Sequence, residues 1–136
     1  CACCPSNIAR VVNHVGGYMY AVEGATIYAL LYCGNEVTLS VYEAQVTLKQ
    51  STAYPYAGAI RIEIDLDTPT EFAVKLRIPT WALGEQFVPG ELYHYTEKSA
   101  STWSLKVNGE NILPVAPKIC KNLPFFANLR FFGIGI

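Results

Sequence analysis

In the segment Ala59-Ile60-Arg61-Ile62-Glu63-Ile64-Asp65-Leu66, apolar and charged side chains alternate at strict period 2 from Ile60 onward. Only an extended strand sends successive side chains to opposite sides, so this stretch dictates a sheet with one buried face and one wet face. Five further short β-prone runs share the chain with it: Tyr18 to Val22, Thr26 to Tyr32, Glu36 to Val41, Ala44 to Gln50 and Glu71 to Ile78. Glu23-Gly24 and Gly34-Asn35 supply turn chemistry between runs, and Asn108-Gly109 is the strongest hairpin signal in the chain. Trp103 to Val107 and a strand after Gly109 would return the chain to the sheet. Several antiparallel strands at this spacing predict a mainly β chain, a meander folded into an antiparallel β-sandwich. With 136 residues, 51% of them hydrophobic, the chain can bury the core of one modest domain.

One helix precedes the strands. Ile8, Val11, Val12 and Val15 fall at i, i+3, i+4 and i+7, which lays an apolar stripe along about three helical turns. Ser6 is placed to cap the N-terminus, and Gly16-Gly17 to end the helix. Between Trp81 and Trp103 the period is lost, and residues 82–102 read as a long surface loop. Beyond Pro114 the text has no clear helix or strand period.

The chemistry is concentrated at the start, in Cys1-Ala2-Cys3-Cys4-Pro5-Ser6-Asn7. Five cysteines, three of them within four residues, do not form the framework of a small disulfide-stapled domain. Metal binding or thiol reactivity fits better. Zinc takes four ligands in a tetrahedron, and this segment offers at most three, so others must come from elsewhere. A helix N-terminus also favours a thiolate through its free N–H groups and dipole, so a cysteine here suits a nucleophile. The C-x-x-C spacing of Cys1 and Cys4 would suit a redox pair, but that needs a strand before it and a βαβ unit after it. On spacing alone, a metal site and small buried side chains at a domain junction are equally good readings.

Cys3-Cys4-Pro5-Ser6-Asn7-Ile8-Ala9-Arg10, with Cys1 two residues before the pair, resembles the C-x-C-C-P-P-N-x-A-R segment of glycoside hydrolase family 127, the β-L-arabinofuranosidase group. Ser6 departs from the second Pro usual there, a mild change. The likeness continues through Gly17-Tyr18 to Tyr20 and Ile27-Tyr28 to Tyr32. Thr52-Ala53-Tyr54-Pro55-Tyr56-Ala57-Gly58 is similar to the T-x-Y-P-W-x-G turn, Arg77-Ile78-Pro79-Thr80-Trp81 to the R-I-P-x-W strand end, and Val107-Asn108-Gly109 to the V-N-G hairpin. After Ile112 the likeness stops.

The resemblance implies an architecture and a mechanism. Residues 1–17 would be the C-terminal edge of a catalytic (α/α)6 barrel that is otherwise missing, 18–113 a β-sandwich accessory (middle) domain, and 114–136 a divergent or truncated tail. The sole methionine is Met19, and a fragment is expected. Cys3 would be nucleophile and zinc ligand, Cys4 a second zinc ligand, and Cys1 stays unassigned. The reaction would retain configuration at terminal β-L-arabinofuranosides or related sugars, with the acid/base Glu and the remaining ligands upstream. The chain alone is expected to be inactive. The alternative is a noncatalytic β-sandwich that packs against or binds glycan.

Composition narrows the partners. Ten Lys and Arg against 11 Asp and Glu, with no basic run, argue against nucleic acid. No apolar stretch reaches the length of a membrane span and no signal-peptide pattern opens the chain. No address is legible, the cytoplasm being slightly favoured with any signal lying upstream. Tyr54, Tyr56 and Trp81 could stack on a sugar ring, although aromatics beside turns more often serve packing. Glu63, Asp65 and Asp67 share one wet strand face, which reads as solvated surface rather than paired catalytic carboxylates. His14 and His94 have no partner in sequence and are assigned no role.

Overall fold

A computed structural model describes residues 3–79, 82, 103–112, 123–125 and 132–135. Helix α1 spans Cys3–His14 and runs into a 3₁₀ turn, Val15–Tyr18. Strands β1 (Tyr20–Glu23), β2 (Thr26–Ala29), β3 (Asn35–Val41), β4 (Ala44–Thr52), β5 (Ala59–Leu66) and β6 (Phe72–Leu76) follow. The remainder supplies β7 (Ser104–Val107), β8 (Glu110–Asn111), β9 (Leu123–Phe125) and β10 (Phe132–Gly135).

These strands form two sheets, ordered β1-β2-β6-β9 and β3-β4-β5-β10-β7-β8. The period-2 segment is β5, with Ile60, Ile62 and Ile64 buried. It pairs antiparallel with β4 from Val46↔Leu66 to Thr52↔Ile60. On β4 the inward series is Ala44, Val46, Leu48 and Gln50. The smaller sheet contributes Ile27, Ala29, Phe72, Val74 and Leu76 to the same core, which Val41 and Leu105 complete from the larger one. Two sheets burying their inner faces against each other make the sandwich the sequence predicts.

On the outer face, the carboxylates of β5 lie where the alternation puts them. Glu63 pairs with Arg61 at 3.0 Å, and Asp67 Oδ1 accepts from the Gln45 backbone N–H at 2.9 Å. These groups brace the outer face and the end of β5 and are not held as a catalytic pair. The Asn108-Gly109 hairpin also forms, with φ of 51° and 88°, both in the left-handed region that a two-residue turn between twisted strands requires.

Four readings change. The strands do not form one meander: the chain crosses between sheets, and β6 lies parallel to β2 from Thr26↔Ala73 to Ala29↔Leu76. The tail is not without structure, since β10 inserts between β5 and β7, and β9 pairs with β6. Ser6 is not the cap. The helix already includes Cys3, and the Ser6 hydroxyl lies inside it, donating back to the Cys3 carbonyl at 3.0 Å. Pro5 permits this early start, because in the first turn its missing N–H has no partner to lose. The helix also ends at His14, and Gly16-Gly17 fall in the 3₁₀ turn. The expected 82–102 loop lies outside the described residues except for Ala82, which is buried. No described helix is long and apolar enough to cross a membrane.

One half-buried polar group gives the sandwich a pH dependence. Burial pushes the Tyr20 phenol above its ordinary value of 10.0, against the lowering effect of hydrogen bonds to Gln50 and Asn35. The unfolded chain therefore loses this proton first as pH rises, so the stability that Tyr20 contributes is complete below about pH 10 and drains away above it. Denaturant titrations of the chain are expected to show a fall in stability above pH 10 that is smaller in Tyr20→Phe.

Candidate functional site

Cys3 and Cys4 occupy the first turn of α1, both exposed, with their sulfurs 3.9 Å apart. Two thiolates on one zinc ion, each bonded at about 2.3 Å with a tetrahedral angle between them, would stand roughly 3.8 Å apart. The observed spacing fits that bite with almost no rearrangement. The pair offers two sulfurs; among the described residues no group of three or more His, Cys, Asp or Glu gathers anywhere that could hold a metal ion. A tetrahedral site built on the pair would need two donors from outside them.

The polar side chains of α1 are tied to their own helix. Arg10 donates to Asn7 Oδ1 at 3.1 Å, Asn13 Nδ2 to the Ala9 carbonyl at 2.9 Å, and His14 Nδ1 to the Arg10 carbonyl at 2.8 Å. His14 is thereby occupied as a local cap at the end of the helix and does not reach the thiols. The predicted apolar stripe is present but uncovered: Ile8, Val11 and Val12 are each more than half exposed. Among the described residues α1 packs mainly against the 3₁₀ turn that follows it. Solvent-facing aliphatics repeating along one helix face are a surface made to be buried by something else.

The other candidates do not join the thiols. Tyr54 is half-buried and packs edge-on against Tyr32, with ring centroids 6.5 Å apart and planes at 81°, and Tyr32 in turn donates to the Arg77 carbonyl at 2.7 Å. Tyr54 therefore serves packing. Tyr56 is almost wholly exposed on the loop that follows β4, and Trp81 and His94 lie outside the described residues, as do Cys1 and Cys120. Cys33 is a separate thiol beside the Met19 sulfur, at 3.8 Å.

A family model described as the GH127 middle domain of beta-L-arabinofuranosidase matches residues 26–119. The chain belongs to glycoside hydrolase family 127. A curated relative, the non-reducing end beta-L-arabinofuranosidase of Bifidobacterium longum subsp. longum, is 32% identical over 89 residues, covering 62% of this chain and 13% of its own length. A solved GH127 beta-arabinofuranosidase superposes with a TM-score of 0.84 at 32% identity, over 99% of this chain and 21% of its own. The GH127 beta-L-arabinofuranosidase of Geobacillus stearothermophilus T6 shares the fold, with a TM-score of 0.77 at 24% identity over 98% of this chain and 19% of its own. The chain thus spans between an eighth and about a fifth of the length of these GH127 relatives.

The sequence reading missed one group of polar residues. Gln50, at an inward position on β4, is the sole buried polar side chain among the described residues, and it bonds Tyr20. Its signal was legible: in the series Ala44, Val46, Leu48, Gln50 the fourth inward position breaks the apolar pattern.

Proposed function

We propose that this chain is part of a larger retaining glycosidase that acts on terminal β-L-arabinofuranosides or related sugars, and that it carries the nucleophile. The observation that carries this reading is the Cys3–Cys4 pair, exposed on a helix turn with a zinc-compatible spacing and followed directly by the family's sandwich. Residues 1–17 would be the edge of the helical catalytic barrel, and the sandwich that follows, which takes in β9 and β10 as well as residues 18–113, the accessory domain. The uncovered stripe of Ile8, Val11 and Val12 supports this, since burying it against barrel helices would remove it from water.

In this mechanism Cys3 and Cys4 would hold zinc together with donors from elsewhere in the enzyme. Bound zinc would keep the sulfurs deprotonated at neutral pH. The Cys3 thiolate attacks the anomeric carbon of the terminal sugar; a C–S bond forms as the C–O bond to the leaving group breaks, and a carboxylic acid outside this chain protonates the departing oxygen. Water then displaces Cys3 from the same carbon and restores the thiolate. Two inversions give net retention, as in enzymes that use a carboxylate nucleophile. Cys3 and Cys4 are borne at the N-terminal turn of a helix, and the resulting rigidity holds the attacking sulfur in one direction.

The test is metal content. The whole enzyme is expected to hold one zinc per chain; Cys4→Ser is expected to lower zinc affinity at least about tenfold, by loss of a ligand, whereas Cys33→Ser leaves it unchanged. Full zinc retention in Cys4→Ser would remove that residue from the site. A noncatalytic sandwich would instead keep hydrolysis in the whole protein after Cys3 is replaced.

A further inference from the structure

The thiol pair has to be held still relative to the rest of the enzyme, and the described structure offers one firm connection between α1 and the sandwich. The 3₁₀ turn hands the chain to Met19 and Tyr20, and both are pinned. Met19 is buried, and its carbonyl accepts from the backbone N–H groups of Leu30 and Leu31 at 2.8 and 3.4 Å. The Tyr20 hydroxyl donates to Asn35 Oδ1 at 2.8 Å and accepts from Gln50 Nε2 at 2.5 Å. Gln50 Nε2 also reaches the Leu31 carbonyl at 3.2 Å, and Asn35 Nδ2 the Cys33 carbonyl at 2.7 Å. One side chain of β4, in the larger sheet, thereby holds both the first strand of the smaller sheet and the segment leaving β2.

Gln50 is not what sandwich stability alone would place there. Its inward neighbours on β4 are Ala44, Val46 and Leu48, and its Oε1 is buried with no hydrogen-bond partner among the described residues. A polar amide at an otherwise apolar inward position costs stability that an apolar side chain of similar size would not, unless its hydrogen bonds are made. The bonds Gln50 does make, to the Tyr20 hydroxyl and the Leu31 carbonyl, tie β1 and the segment leaving β2 to β4.

We propose that Gln50 and Tyr20 form a clasp that fixes the direction in which α1 leaves the sandwich, and so are positioning residues for the Cys3–Cys4 pair. This rests on the reading of Cys3 as nucleophile. The lever is long: α1 and its 3₁₀ turn span roughly 20 Å, so a swing of about 5° at Met19 moves Cys3 by about 2 Å. Misplacing a reacting atom by about 1 Å can lower a rate on the order of 10²-fold. Barrel packing along the apolar stripe restrains one side of the helix, and the clasp restrains its root.

The experiment compares Tyr20→Phe, Gln50→Leu and the core control Leu48→Ala in the whole enzyme, reading kcat, KM, thermal midpoint and the rate at which iodoacetamide alkylates Cys3. The clasp variants are expected to lower kcat about tenfold or more with KM within about twofold, and to change Cys3 alkylation several-fold. Leu48→Ala is expected to lose more thermal stability yet keep kcat at a temperature where it is folded. Unchanged kcat and alkylation in folded Tyr20→Phe overturns the clasp, as does a kcat loss in Leu48→Ala equal to that of the clasp variants. Should Gln50→Leu not fold, Tyr20→Phe, which removes one oxygen, decides alone. Retained hydrolysis in Cys3→Ser would defeat the nucleophile reading instead, and the alkylation rate would still judge the clasp.

Discussion

Replacing Cys3 by Ser in the whole enzyme is expected to lower kcat on the order of 10⁴-fold or more, the scale seen when a covalent nucleophile is removed. The side chains are nearly isosteric, so the loss is chemical. A serine hydroxyl needs a base to attack and, unlike a zinc-bound sulfur, would not be ionised by the metal proposed here. The helix is expected to survive, because Cys3 is exposed on its first turn. Cys33→Ser provides the contrast: its sulfur lies beside Met19 at the edge of the sandwich, and activity is expected to remain within about twofold. Assays with an aryl arabinofuranoside on the two variants check both halves, and a Cys3→Ser enzyme with near-normal turnover would place the chemistry on another group.

Leu48→Ala is expected to destabilise the sandwich by about 3 kcal/mol, within the 2–5 range for emptying a fully buried leucine site. Leu48 has no exposed surface and sits on β4 between β3 and β5, where it belongs to the cluster both sheets share. Strands on both sides fix the backbone, so the site cannot collapse to fill the void. Lys49, the next residue, points outward and meets Glu36 across the strands at 4.0 Å, with both side chains more than half exposed. Lys49→Ala is therefore expected to cost less than about 1 kcal/mol. Urea titration of the two variants tests the alternation directly: equal losses would mean that β4 does not present Leu48 inward.

The alternation at Leu48 and Lys49 was readable in the sequence because a strand imposes period 2 on its own residues. Ile60, Ile62 and Ile64 announced β5 for the same reason, and Asn108-Gly109 announced its hairpin because few residue pairs accept positive φ twice in succession. Pairing between distant strands leaves no such local mark. Nothing within Phe72–Leu76 says that it lies parallel to β2, and that arrangement forms because the chain crosses from one sheet to the other and back. The strand Phe132-Gly133-Ile134-Gly135 escaped notice because two of its four residues are glycines, which have low strand preference, although it occupies the middle of the larger sheet.

The site was legible to a different degree. The cysteine segment marked itself by composition, and its resemblance to the family supplied the roles of Cys3 and Cys4. Sequence alone could not place the sulfurs 3.9 Å apart, nor show that the apolar stripe of α1 lies uncovered. Ser6 misled because its hydroxyl suits a cap equally well one turn earlier or later, and Pro5 allowed the helix to begin before it. Gln50 was overlooked because one polar residue at the end of an apolar series looks like the end of burial; the hydroxyl of Tyr20, 30 positions away, gives it a partner inside.

The most direct measurement is to trap the whole enzyme with an arabinofuranose-derived electrophile that forms a covalent glycosyl adduct, then to map the modified residue by mass spectrometry. A single sugar adduct on the Cys3 sulfur is expected, lost in Cys3→Ser and retained in Cys33→Ser. An adduct on a carboxylate, or on any residue outside this segment, would contradict it.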